Sequence, residues 1–207
     1  MRFIQHKVGR FGFTAVSIDE LGASEYTLIQ LVIDGSGSMF AHRHRIEVMI
    51  SDIVTACLQS EHRHRLILRI VAFGPAPEEV HGFKTMLQCN PADYDGVLRS
   101  SGTTALNDAV LDGIEVAGGY AEYLTKYDLL VNGLLIVVTD GMDNHSIVSP
   151  KQVKDALTDA SGQFDPCELT FILVGLCDSR IPDSSGVSTA LRRLQKEVGA
   201  NGLGILQ

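Results

Sequence analysis

The sequence predicts an α/β sandwich: a mostly parallel central sheet with an antiparallel edge strand and helices on both faces. Three observations carry this. Short, continuous apolar runs rich in β-branched residues alternate with amphipathic stretches along the chain. Strands buried on both faces read as such runs. The amphipathic stretches repeat at i, i+3, i+4 and i+7, which is the helical period. The order strand, helix, strand, helix implies right-handed crossovers, and these lay the helices against one sheet.

In chain order, Phe11 to Ile18 reads as an extra strand leading through a glycine-containing turn to Thr27. Thr27 to Ile33 (TLIQLVI) is the first buried strand. Ile46, Met49, Ile50, Ile53, Val54 and Cys57 form the stripe of the first long helix. Leu66 to Phe73 (LILRIVAF) is the next strand, and Val80 to Thr85 follows it after the turn GPAPEE, a spacing that suits an antiparallel edge strand. Leu106, Ala109, Val110, Gly113 and Ala117 mark a second helix, and Leu134 to Thr139 (LLIVVT) a further strand. The third helix carries Val153, Ala156, Leu157 and Ala160. Its start is well marked, with Ser149 as N-cap, Pro150 at the first helical position and Gln152 completing a capping box. Leu169 to Val174 (LTFILV) is a strand, and Val187, Ala190, Leu191, Leu194 and Val198 line the last helix, with Gly199 as its stop. Gly202 to Leu206 closes the sheet. No linker, repeat or low-complexity segment interrupts this order. The expectation is one domain over 1–207, with its core from about residue 27 and an N-terminal extension, 1–26, that adds a strand.

Bulk properties narrow the function. A chain of 207 residues buries a large core without disulfides. The formal net charge of −8 disfavours a general nucleic-acid binder, which is usually basic. The best apolar run, Leu129 to Val138, is broken by Asn132 and falls far short of the ~20 residues of a membrane span. The first fifteen residues lack the long apolar stretch of a signal peptide, so the cytoplasm is expected. The cysteines (Cys57, Cys89, Cys167 and Cys177) form no CxxC pair. Cys167 and Cys177 flank a strand whose ends lie further apart than the about 7 Å a disulfide spans. All four are expected to be free thiols.

Three polar clusters fall where strands should end: Asp34-Gly35-Ser36-Gly37-Ser38 after Ile33, Ser101-Gly102-Thr103-Thr104 before the second helix, and Thr139-Asp140-Gly141 after LLIVV. Open α/β sheets bind ligands outside the carboxyl ends of their strands, so three distant parts of the chain would converge there. Carboxylates and hydroxyls are oxygen donors that a hard cation such as Mg²⁺ or Mn²⁺ prefers. Glycine lets the loop turn sharply and come close to the ion. Two aspartates balance the ion formally while the hydroxyls stay neutral, so the ion keeps an affinity for one more anionic oxygen. Taken singly, each cluster is an ordinary helix cap or turn. That reading leaves their common position at strand ends unexplained.

Asp34-x-Ser36-x-Ser38, followed by Met39, resembles the DxSxS motif of the metal-ion-dependent adhesion site (MIDAS) in von Willebrand factor A domains. GTTALNDAV resembles that family's second motif, in which the threonine before Ala-Leu is a ligand, matching Thr104 rather than Thr103. VVTDGMDN resembles the third, whose ligand matches Asp140. The resemblance runs from about Thr27 to the C-terminus. It implies a Rossmann-like sandwich and a metal set of Asp34, Ser36, Ser38, Thr104 and Asp140. In that set Ser36 and Ser38 bind directly, and Asp34 and Asp140 often act through water. It also implies a non-enzymatic module in which a partner protein supplies a Glu or Asp to the ion. Small intracellular, bacterial-type members serve assemblies that include those run by AAA+ ATPases. Asp143 and Asn144 are expected to shape the loop.

Two other readings compete. A degenerate A domain would scaffold without metal, but all five ligand positions are filled. A haloacid-dehalogenase-like hydrolase would use Asp34 as nucleophile and Asp140 with Asp143 for Mg²⁺. It needs a second acid two residues on, where Ser36 stands. A nucleotide-binding glycine loop fails on spacing, because position 40 is Phe40 and no GK[ST] follows. His-Arg-His-Arg occurs twice, at His42 to Arg45 and His62 to Arg65, near the two ends of the first long helix. An i, i+2 spacing does not put both imidazoles on one helix face, so each reads as a solvated basic patch or a dock for an acidic partner. His145 is a loop histidine that could line the rim of the metal site.

Overall fold

A computed structural model describes residues 2–100, 102–164, 168–176 and 184–206. The N-terminal segment forms a hairpin of β1 (Phe3–Val8) and β2 (Phe11–Val16), followed by a 3-10 turn at Ile18–Glu20. β3 (Glu25–Asp34) leads through a short turn into α1 (Arg43–Gln59), then β4 (Leu66–Phe73) and β5 (Pro77–Thr85). α2 (Leu106–Thr125), β6 (Leu130–Thr139), α3 (Pro150–Ser161), β7 (Leu169–Leu176), α4 (Ser184–Val198) and β8 (Gly202–Leu206) complete the chain.

The strands form one sheet in the order β1-β2-β5-β4-β3-β6-β7-β8. β4, β3, β6, β7 and β8 run parallel, and β5 is antiparallel to β4. The strand expected at the edge, β5, is not outermost. The hairpin continues the sheet beyond it, with β2 parallel to β5 through the pair Ala15 and Phe83. The edge strand is β1, itself antiparallel to β2. The segment before residue 27 thus adds two strands where the sequence suggests one. β1 escapes notice because it lies at an edge: FIQHKV alternates between exposed and half-buried positions and has no continuous apolar run.

Alternation along the parallel strands gives two cores. Leu28, Val32, Leu135, Val137, Phe171 and Leu173 pack with α2, α3 and α4. Ile29, Leu31, Ile33, Leu68, Ile70 and Val138 pack with Ile46, Ile50 and Val54 of α1. Helices therefore cover both faces, three on one side and α1 on the other. Gly113 lets α2 sit close to the sheet, because a Cβ there would come within 2.8 Å of a Leu135 methyl. At α3 the capping box is formed as expected: Ser149 N–H donates to Gln152 Oε1 at 2.9 Å, and Gln152 N–H donates to Ser149 Oγ at 3.4 Å. Cys57 and Cys89 are free thiols. Ser101, Cys167 and Cys177 lie outside the described residues, as does the side chain of Val187.

Candidate metal centre

β3 and β6 are parallel neighbours, with Ile33 beside Val138, so Asp34 and Asp140 leave the sheet at the same edge. Asp34 is 1% exposed. Its Oδ1 accepts the Ser36 N–H at 2.8 Å and its Oδ2 accepts the Thr139 hydroxyl at 2.7 Å. Gly35 is pinned by its N–H to the Phe73 carbonyl at 2.8 Å. A side chain could not fit there, since a Cβ would lie 2.9 Å from the Arg99 carbonyl oxygen. The loop therefore turns back on itself and stacks the two serines over Asp34.

The hydroxyls link the two carboxylates. Ser36 Oγ lies 3.1 Å from Ser38 Oγ, and Ser38 Oγ donates to Asp140 Oδ2 at 2.6 Å. The other Asp140 oxygen accepts the Met142 N–H at 2.9 Å. Between them Gly141 adopts φ +84°, a conformation that favours glycine. Its N–H donates to Thr139 Oγ1 at 3.0 Å. Thr139 thus serves both loops; its place in the third polar cluster pointed to the site but not to its bond with Asp34.

Thr104 is 3% exposed and is tied to the Asp140 loop by its main chain. Its N–H donates to Asn144 Oδ1 at 2.9 Å, and its carbonyl accepts the N–H groups of Asn144 and His145 at 3.0 and 3.1 Å. Asp143 accepts from Asn107 N–H at 3.1 Å and from Ser146 N–H at 3.0 Å. Asp143 and Asn144 both shape the loop. His145 is exposed. Asp108, in the first turn of α2, accepts from Ile147 N–H at 3.0 Å and from Arg10 Nη2 at 2.6 Å. The turn of the N-terminal hairpin is thereby fastened behind the site, a link between remote residues that no local pattern announces.

Asp34, Ser36, Ser38 and Asp140 thus form one hydrogen-bonded chain, with Thr104 on the adjoining loop. Burial pushes the Asp34 carboxyl up; hydrogen bonds from Ser36 and Thr139 oppose this, and the Asp140 charge adds to it. Among the described residues no Lys, Arg or His forms an ion pair with either aspartate. The donor set is all oxygen, and its two acids have no ion-paired side chain among the described residues. Both features fit a hard divalent cation.

No protein-family model matches the sequence, and no curated protein matches it. Solved structures do match the fold. Proximal thread matrix protein 1 of the mussel byssus is similar at TM-score 0.57 and 15% identity, over 88% of this chain and 42% of that one. Another structure of that protein, with TM-score 0.54 and 16% identity over the same shares, has a zinc-occupied MIDAS motif. The pilus adhesin SpaC of Lactobacillus rhamnosus GG is similar at TM-score 0.59 and 11% identity, over 95% of this chain and 29% of that one. The chain spans well under two thirds of the length of these proteins. At such identities the likeness shows the fold, which is a von Willebrand A-like, Rossmann-like α/β sandwich. No described helix is long and apolar enough to cross a membrane.

Proposed function

We propose that this is a non-enzymatic, divalent-cation-dependent protein-binding module. Asp34, Ser36, Ser38, Thr104 and Asp140 hold Mg²⁺ or Mn²⁺ as a MIDAS. The observation that carries this reading is the pair of linked carboxylates, with which no Lys, Arg or His among the described residues forms an ion pair. When bound, the cation supplies a positive centre that a Glu or Asp of the partner protein can reach. The residues around it do the rest. Main-chain N–H groups and Thr139 fix the carboxylates of Asp34 and Asp140. Ser36 and Ser38 turn their hydroxyls along the same edge. Phe40 and Met142, 46% and 57% exposed, lie two residues beyond Ser38 and Asp140 and offer apolar contact around the polar centre. A partner carboxylate buried there without the cation would be left unpaired, which is costly.

The single domain spans the chain, and the cytoplasm is its place in this reading, supported by the free thiols of Cys57 and Cys89. The partner belongs to a multiprotein assembly, of which AAA+ ATPase complexes are one class. The hydrolase reading predicts turnover of a generic aryl phosphate that is lost in Asp34→Asn. Ser36, where the acid/base carboxylate would be needed, predicts none.

Calorimetry tests the site. Mg²⁺ or Mn²⁺ should bind at about one ion per chain, and Asp34→Ala and Asp140→Ala should abolish it. Equal binding by all three proteins sinks the assignment. Capture of partners with Mg²⁺ and again with EDTA tests the mechanism. One partner carboxylate, changed to its amide, should weaken binding about as much as EDTA does. The two losses should not add, since both remove one bond.

A further inference from the structure

His44, Glu47 and Asp95 lie outside the site described above. His44 and Glu47 stand at i and i+3 on α1, so they share one helix face. Asp95 comes from a remote segment, at the end of the 3-10 turn Pro91–Tyr94, which Asn90 caps through its bond to Ala92 N–H. The ligand atoms of the three side chains all lie within 4.8 Å of one another. Yet they do not bond to each other. Among the described residues the only histidine–carboxylate ion pair within 4.0 Å is His62–Glu61. The three groups converge on a shared space without filling it.

Glu47 supplies a second observation. It is 3% exposed, a carboxylate that is nine-tenths buried and more. Its Oε1 accepts the Leu98 N–H at 3.1 Å, and no Lys or Arg among the described residues forms an ion pair with it. A buried carboxylate without a cation is expensive, and one main-chain donor does not neutralise it. The adjacent Arg43 does not serve, because its guanidinium lies over the Phe40 ring, 5.1 Å from the centroid.

We propose that His44, Glu47 and Asp95 form a second cation site, distinct from the Asp34 edge and suited to zinc rather than Mg²⁺. The imidazole decides the class. Mg²⁺ takes oxygen donors, whereas zinc accepts an imidazole nitrogen and carboxylate oxygens together. Tetrahedral zinc with ligands at about 2.0–2.2 Å holds them roughly 3.4 Å apart. Exposed His44 and Asp95 move in toward buried Glu47 by about an ångström, and solvent keeps the fourth position. The first His-Arg-His-Arg segment thus has one histidine with a defined task. Its partners are not the neighbouring histidine but an acid one turn on and another from a distant loop.

The test uses the full chain, stripped with a chelator and titrated with Zn²⁺ alone by calorimetry. Asp140→Ala removes the first site and should leave one zinc per chain that excess Mg²⁺ does not displace. Adding His44→Ala or Asp95→Asn should weaken that zinc by at least about a hundredfold, since losing even an outer partner of a ligand costs roughly 10–100-fold. Both side chains are exposed, so circular dichroism should show these variants folded. Glu47→Gln keeps the acceptor for Leu98 N–H and should weaken zinc as well. If Asp140→Ala binds no zinc, or the added changes leave its affinity intact, the second site is wrong. Neither outcome bears on the first site, which stands or falls on Mg²⁺.

Discussion

Asp112 and Glu79 meet Arg69 inside the molecule, between the sheet and α2. Asp34 and Asp140 meet each other at the sheet's carboxyl edge through two serine hydroxyls. Both sites hold two acids at low exposure, and both are hydrogen-bonded. They differ in what balances the charge. Arg69, with its side chain 2% exposed, donates Nε to Glu79 at 2.8 Å and Nη1 to Asp112 and to Gln30, each at 2.8 Å. Gln30 in turn donates to the Gly113 carbonyl at 2.6 Å, and Glu79 accepts from Thr14 of the hairpin. The inner network closes on itself and joins β2, β3, β4, β5 and α2. The edge cluster is closed for hydrogen bonds but open for charge. Among the described residues the fold supplies its own cation in one place and none in the other, and the proposed function rests on that difference.

The largest effect expected from this contrast is at Arg69. Replacing it with methionine leaves the Asp112 carboxylate buried without its partner and leaves Glu79 with only its bonds from Thr14. Removing one member of a buried pair costs about 3–5 kcal/mol. Urea denaturation should show a loss in that range. A loss below about 1 kcal/mol would mean that the acids take up protons or water easily, and the contrast with the edge would fail. Gains from burying the methionine stem do not rescue the stranded carboxylates.

Arg69 also shows how legibility divides. It sits in the middle of LILRIVAF, so the sequence marks it as a charge inside a buried strand. Its partners come from β5, α2 and β3, and nothing local names them. β3, β4, β6 and β7 were readable because strands covered on both faces carry continuous apolar runs. β1 was not, because an edge strand alternates, and its His6 packs on Phe13 and Tyr123 only after the hairpin has folded. The convergence of the three polar clusters at one sheet edge was readable because each follows its own strand or precedes its own helix. The His44 site was not, because its third member is 48 residues beyond Glu47 and belongs to no pattern.

The second effect is intermediate and specific to the edge. A cation that binds only the folded protein stabilises it by RT ln(1 + [L]/Kd), about 2.7 kcal/mol at a hundred times Kd. Thermal or urea unfolding with and without Mg²⁺ should show this increment in the native protein and none in Asp140→Ala. Arg69→Met should keep the increment on top of its lower baseline. Four residues of strand, about 13 Å, separate Arg69 from the end of β4 beside the site, far enough for the two effects to add. An increment that survives in Asp140→Ala would move the ion elsewhere.

The smallest effect is the sharpest. Asp140→Asn, measured in EDTA, should change stability by no more than about 0.5 kcal/mol. The amide oxygen can still accept the Met142 N–H, and the amide nitrogen can donate to Ser38 Oγ, so both contacts of Asp140 survive with one reversed in direction. The change also removes a negative charge that presses on Asp34, whose carboxyl is already pushed up by burial. Relief of that repulsion offsets any lost hydrogen-bond strength. The same substitution should abolish the Mg²⁺ increment. A charge that can be deleted without loss in the empty protein, yet is required for the cation, is there for the cation. If Asp140→Asn instead loses about 2 kcal/mol or more in EDTA, the edge acids are as structural as the pair around Arg69. The inference from missing counter-charge to bound metal then collapses.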